Sequence, residues 1–519
     1  MTNGLGGDKC DLLVVGSGGG ALTGAYAAAR EGLDVLVIES TGRFGGTTAY
    51  SGGGMWFPGN AVLRRAGCPD DLETARGYYH AVVGDETPRA LQNAYVETGR
   101  DLIDYLETDP DLKFQVFPWP DYYGTIPGAS AEGRHIIPLE IGAAALGDDL
   151  RHRLRAPFPL EYEDAEAVVA EDAELNGGQA LIGRLLIALD KKDNVRLLAD
   201  TALVSLIEED GRVLGAVVES GGVQRTVMAR QGVLLAAGGF ERNDAMRADA
   251  GIRTPARWSM GAPGSQGQAH RAAMAIGADS ALMGECWWSP GLLNPDGSSS
   301  FFVGIMEGLI VDRLGNRFTN EVLPYDRLGR EMLANVEGET GLPRFWLVFD
   351  DRQGGTLPIA AVTIPLADPE AYRAAGLWHS APDLATLAAT IDVPADALEA
   401  SVARFNQFAA QGHDADFARG EEPYDRFFAQ SADPASVLPP VEKAPYHAVA
   451  LGLSDLGTKG GLVTNVWGQV LNRTGDPILG LYAAGNTMAA VSGKTYPGGG
   501  NPIGSSMVFA YRAVQHLTG

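Results

Sequence analysis

Gly16-Ser17-Gly18-Gly19-Gly20-Ala21 has the spacing that lets backbone amides cradle a pyrophosphate. The first glycine permits a tight turn and the second lets the backbone approach the phosphates. The small residue at the end lets helix and strand pack closely. The helix that starts there offers free N–H groups and a positive partial charge to an anion. Glu39 closes the next apolar run, where a carboxylate can hold ribose hydroxyls, and Ser40 stands beside it. This is the chemistry of dinucleotide binding. A glycine-rich turn without a ligand is the bland alternative, but it leaves the agreement of strand, turn, helix and acid unexplained.

Further small-residue turns follow. Gly45-Gly46-Thr47-Thr48 and Ser51-Gly52-Gly53 come soon after Glu39, and Gly485-Asn486 comes far later. Three separated segments converging on one long ligand suit extended FAD better than NAD. Ile503 joins the expected contacts.

The elements that must position these residues can be read outward from them. Residues 11–16 form an apolar run ended by glycine, the pattern of a buried parallel strand. Residues 21–31 are good helix formers, and residues 34–40 read as a second strand, which completes a β-α-β unit. Residues 70–107 read as one amphipathic helical stretch, with Ala81-Val82-Val83 and Leu102-Ile103 on its buried face. The acidic segment 144–176 reads as surface loop and short helix. A helix is expected over 180–189, and strands over 195–198, 201–207, 213–219 and 232–239, with turn signals between them. Near Cys286 the composition shifts to Trp287, Trp288, Phe301 and Phe302, which marks a domain boundary. Residues 480–486 again read as buried strand and turn. The expected division is a dinucleotide-binding domain over 1–285, a substrate domain over 286–453, and a return to the first domain over 454–519.

Bulk properties narrow the function classes. A net charge of −25 repels phosphate backbones, so nucleic acid is not an expected partner. Three cysteines, Cys10, Cys68 and Cys286, make no disulfide framework and fit a reducing compartment. The first nine residues lack the charged-then-apolar pattern of a secretory signal, and no apolar run is long enough for a transmembrane helix. A cytoplasmic enzyme is expected, with room for peripheral membrane contact if its substrate partitions into lipid. No metal is called for.

Six stretches together resemble the flavoprotein family that contains the 3-ketosteroid Δ1-dehydrogenases. They are residues 14–26, 43–47, 121–123, 317–326, 454–462 and 496–500, and the likeness spans nearly the whole chain. The first two are shared with many FAD enzymes, whereas the last four are much more specific. The resemblance implies an α/β fold: a Rossmann-like FAD-binding domain interrupted by an α+β catalytic domain, as in fumarate reductase and succinate dehydrogenase flavoproteins. It implies FAD as cofactor, a steroid as substrate, and an unidentified electron acceptor. By motif, Tyr325 takes the proton from C2 beside the ketone while flavin N5 takes the C1 hydride, and Tyr122 is its hydrogen-bonding helper. Tyr496 and the N–H of Gly500 hold the ketone oxygen.

These roles make physical sense. The C2 proton becomes acidic only if enolate charge is stabilised, which two donors at the oxygen do. A phenol near pKa 10 is a poor base until a neighbour donates to its anion. Trp119, Phe301 and Trp287 are candidates to line a steroid slot, although ordinary aromatic packing would look the same in sequence. Asn501 stands where the family more often has an apolar residue. A 3-ketosteroid Δ4-(5α)-dehydrogenase or another ketone-adjacent desaturase is the near alternative. A fumarate-reductase-like enzyme is the more distant one, and Trp287-Trp288 speaks against a dicarboxylate site.

Overall fold

Strand β1 (Lys9–Val15) is the centre of the larger sheet because both of its faces are covered. Leu12, Leu13 and Val14 are fully buried, and each contributes about 1.5–3 kcal/mol by leaving water. The computed structural model describes residues 9–68, 70–338 and 340–519. From β1 the chain enters helix α1 (Gly19–Arg30) and returns in β2 (Val35–Ile38), parallel to β1. Strand β3 (Val195–Leu198) extends the sheet beyond β2, and β4 (Val223–Leu235) pairs in parallel with the other side of β1.

A second sheet is antiparallel. Strand β5 (Cys286–Leu293) and β6 (Phe345–Asp350) both pair with the long β7 (Tyr446–Thr458). Helix α2 (Tyr325–Asn335) lies between β5 and β6 in sequence. The boundary expected after residue 453 falls inside β7, which runs on to Thr458. The chain then returns to the first sheet. Strand β8 (Pro477–Ala483) pairs in parallel with β4, and helix α3 (Asn501–Thr518) packs on α1. That contact is close because Gly20 faces α3: a methyl group there would overlap the Ser506 hydroxyl.

Each sheet carries its own apolar core. One gathers β1, β2, β4, β8, α1 and α3, and the other gathers β6, β7 and the helices around them. The helical reading of 70–107 needs a correction. Two helices, Leu72–Val83 and Arg89–Leu106, replace the single stretch. Gly84 has φ +59° and Pro88 caps the second helix, so the backbone turns between them. No helix among the described residues is long and apolar enough to cross a membrane.

Candidate active site

The C-terminal ends of β1, β4 and β8 meet at one point, where parallel α/β sheets open a crevice for ligands. Gly16 leaves β1 with φ +106°, and a side chain there would overlap the Ala236 carbonyl at the end of β4. Gly18 caps α1 with no side-chain acceptor of its own, Gly19 N–H donates to Thr48 Oγ1 at 3.1 Å, and both glycines border the cavity described next. Ser17 Oγ donates to Glu39 Oε2 at 2.6 Å, and Gly45 N–H donates to Ser17 Oγ at 3.0 Å. Glu39 also accepts from Thr41 N–H at 2.9 Å and Ser40 Oγ at 3.2 Å, which fixes its carboxylate at the tip of β2.

From there a cavity of about 630 Å³ runs between the two sheets. Its near wall contains Gly16, Ser17, Gly18, Gly19, Glu39, Ser40, Gly46, Thr47, Thr48, Ser51, Gly52, Gly53, Gly485, Asn486 and Ile503. Gly20, Ala21 and Gly45 are not in that wall. Gly20 and Ala21 face protein, and Gly45 holds Ser17 from behind. Gly52 has nothing within 4 Å of where a Cβ would stand, and Gly53 at φ +66° sits against Gly177. The residues fit FAD: an amide-lined helix start, an acid at the tip of β2, and a glycine cradle along one continuous slot.

The far wall carries the phenols. Tyr325 is the first residue of α2, directly after Pro324, so its ring is fixed by the helix start. Tyr496 lies in the loop before α3, and Tyr122 is held by its own N–H donating to the Pro497 carbonyl at 3.0 Å. The hydroxyls of Tyr325 and Tyr496 are 3.0 Å apart. The Tyr122 ring stands edge-on to both, at 5.6 Å from Tyr325 and 5.0 Å from Tyr496. Trp119 donates to the Tyr122 hydroxyl at 3.2 Å, and Phe301 packs edge-on to Tyr325 at 5.1 Å. Tyr122, Tyr325, Tyr496, Gly500, Trp119, Trp287 and Phe301 all border the same cavity as the nucleotide-side glycines.

Electrostatics separate the three phenols. Burial pushes all three above the usual phenol range. In Tyr325 the polar contacts with the Tyr122 and Tyr496 hydroxyls oppose that shift. In Tyr122 and Tyr496 the contact with Tyr325 adds to it, although the Gly500 N–H pulls the Tyr496 hydroxyl back down. Of the set, Tyr325 is therefore the phenol whose anion the other two hydroxyls favour.

The wall also holds residues that sequence reasoning missed. Arg155, fully buried, donates to Thr41 Oγ1 at 2.8 Å and Tyr50 at 3.2 Å and is paired with Glu161. With Phe158 it shows that residues 144–176 are not merely surface. Ala236-Ala237-Gly238 line the slot at the end of β4, and a strand running into small residues was the signal for them. His135 lines it as well, and burial draws its ring down to about 4, so it is neutral. Asn501 does not face the cavity: it is buried and accepts from Tyr79 at 3.1 Å.

Known proteins bear on this site. Residues 11–503 match the family model described as FAD binding domain. The chain is 37% identical to a 3-oxosteroid 1-dehydrogenase of Rhodococcus opacus, with 98% of each chain covered. It is 34% identical to a 3-oxosteroid 1-dehydrogenase of Mycolicibacterium smegmatis, covering 98% of this chain and 97% of that one. Among solved structures it superposes on a 3-ketosteroid delta1-dehydrogenase from Sterolibacterium denitrificans, crystallised with 1,4-androstadiene-3,17-dione. There the TM-score is 0.89 and the identity 32%, over 98% of this chain and 99% of the other.

Proposed function

The chain belongs to the FAD-dependent 3-oxosteroid 1-dehydrogenase family, and from that premise we propose that it removes hydrogen from C1 and C2 of a 3-ketosteroid, with Tyr325 taking the C2 proton. One observation carries the reading: two buried phenols with hydroxyls 3.0 Å apart border the same slot as the nucleotide-side glycines. The turn at Gly16–Gly19, Glu39 and the glycines at 52 and 53 would hold FAD, and bound FAD supplies the two-electron acceptor for the C1 hydride.

The chain's own groups do the rest. The Gly500 N–H lies against the Tyr496 hydroxyl, and together the two would grip the ketone oxygen, stabilising enolate charge as C2 loses its proton. Tyr122 would donate to the Tyr325 phenolate and lower its cost, in line with the downward pull it exerts on that hydroxyl. Trp119, Phe301 and Trp287 offer a flat apolar wall to fused rings. Among the described residues that border the cavity, Arg155 is the cation, and it is committed to Glu161, Tyr50 and Thr41. A substrate with two carboxylates would find no free positive partner there.

The direct test adds 4-androstene-3,17-dione to the purified protein without oxygen. Flavin absorbance should bleach and 1,4-androstadiene-3,17-dione should form. Flavin that stays oxidised would overturn the reading, and conversion only of a 5α-saturated 3-ketosteroid to its 4-ene would move it to Δ4-(5α) chemistry.

A pH dependence follows from the phenol set. The phenolate of Tyr325 is the working form and its pKa is raised, so kcat/KM should climb through the neutral and alkaline range by about tenfold per pH unit. Tyr122→Phe removes one donor to that anion. A hydrogen bond to a charged group is worth about 1.5–3 kcal/mol, so the rise should move up by roughly one to two pH units. At neutral pH the variant is slower. An unmoved profile in a folded Tyr122→Phe enzyme would separate Tyr122 from the base.

A further inference from the structure

Lys459 lies in the stretch 454–462, whose sequence is specific but which takes no part in the chemistry above. Its ammonium is fully buried between the two segments that carry the opposing phenols. It donates to Asp326 Oδ2 at 3.3 Å, to the Lys494 carbonyl at 2.6 Å and to the Thr495 carbonyl at 3.1 Å. An ammonium has three donors, and all three are used. Asp326 directly follows Tyr325, and Lys494-Thr495 directly precede Tyr496. The same ammonium sits 4.4 Å above the ring of Trp287, which stands edge-on to Tyr496 at 5.1 Å. One cation therefore ties the start of α2 to the loop before α3, and braces the ring beside the second phenol.

We propose that Lys459 is a positioning residue for proton transfer: it sets the separation and angle of the Tyr325 and Tyr496 hydroxyls without touching substrate. The proposal rests on the dehydrogenase reading of the site. A core role alone does not account for the residue. Taking an ammonium out of water is unfavourable, and a methionine of similar length would fill the space without that cost. What methionine lacks is the ability to bridge three acceptors on two segments.

The test compares wild type, Lys459→Met, and the double variant Lys459→Met/Asp326→Asn, each as holoprotein reduced anaerobically by 4-androstene-3,17-dione. The single variant leaves Asp326 with less compensation and should melt at lower temperature. The double variant removes both charges and should regain most of that loss. Its kcat should nevertheless stay about 100-fold below wild type, the effect of displacing a reacting group by about an ångström, with KM unchanged. A purely structural lysine predicts that kcat returns with stability, so a double variant as fast as wild type would overturn the proposal. A double variant that does not fold with FAD would overturn it too, since the lysine would then serve the fold. If the single variant fails to fold, the double variant decides. Wild type that leaves its flavin oxidised would sink the dehydrogenase reading and this proposal with it, whereas active wild type with an equally active double variant would sink Lys459 alone.

Discussion

Tyr325→Phe should slow flavin reduction by a 3-ketosteroid roughly 10²–10⁴-fold, the range a positioned proton acceptor contributes, while the protein still purifies with FAD bound. The exchange removes one oxygen and keeps the ring. That ring packs edge-on to Phe301, Tyr122 and Tyr496, contacts a phenylalanine retains. Pro324 still fixes the start of α2. The nucleotide turn at Gly16–Gly19 is built on β1 and α1 and shares no hydrogen bond with Tyr325 among those described. The lost hydroxyl takes away the partner that the Tyr496 hydroxyl has at 3.0 Å, so a modest drop in melting temperature accompanies the change. Stopped-flow mixing without oxygen separates the two readouts, since the dissociation constant for the ketone should change little while the limiting rate collapses. A variant that reduces its flavin at the normal rate would take Tyr325 out of the mechanism.

The two ends of the cavity differed in how legible they were. The nucleotide end is written in contiguous residues, because a turn, a helix start and a strand tip each need particular small or acidic residues at fixed offsets. Residues 16–21 and Glu39 could thus be read without knowing what packs on them. What the motif could not say is which glycines face the ligand. Gly20 is small because Ser506 of α3 presses on it, a contact across almost the whole chain. The phenol end is different in kind. Tyr122, Tyr325 and Tyr496 come from three distant segments, and nothing local separates them from the other tyrosines; only the resemblance singled them out. Arg155 was hidden for the opposite reason. Its acidic neighbourhood reads as solvated surface, yet Glu161 pairs with it and Thr41 and Tyr50, more than a hundred residues earlier, accept from its terminal nitrogens. Burial of that charge is a tertiary fact. The break between the helices 72–83 and 89–106 was local and readable, since Gly84 and Pro88 stand in plain sight.

Gly500→Ala should be nearly as damaging as loss of the base, for two separable reasons. The residue caps α3 at φ +88°, where a non-glycine residue costs about 1–2 kcal/mol. A Cβ there would stand 2.5 Å from Gly54 C and Met55 N, which are backbone atoms and cannot swing aside. The loop before α3 must therefore move away from the residues 54–55 that border it. Its N–H, which acts on the Tyr496 hydroxyl, moves with it. Removing one donor from such an oxygen site costs roughly 10²–10³ in turnover, and the backbone displacement adds a lower melting temperature. Gly77 provides the contrast: it lies inside the helix Leu72–Val83 with nothing within 4 Å of its missing Cβ. Gly77→Ala should leave turnover unchanged and stabilise the fold by about 0.5–1 kcal/mol. Steady-state rates and thermal melts of the two variants, measured side by side, distinguish a demand for glycine at the oxygen site from a general sensitivity to added methyl groups. A Gly500→Ala enzyme with normal turnover would mean that this amide does not hold the ketone.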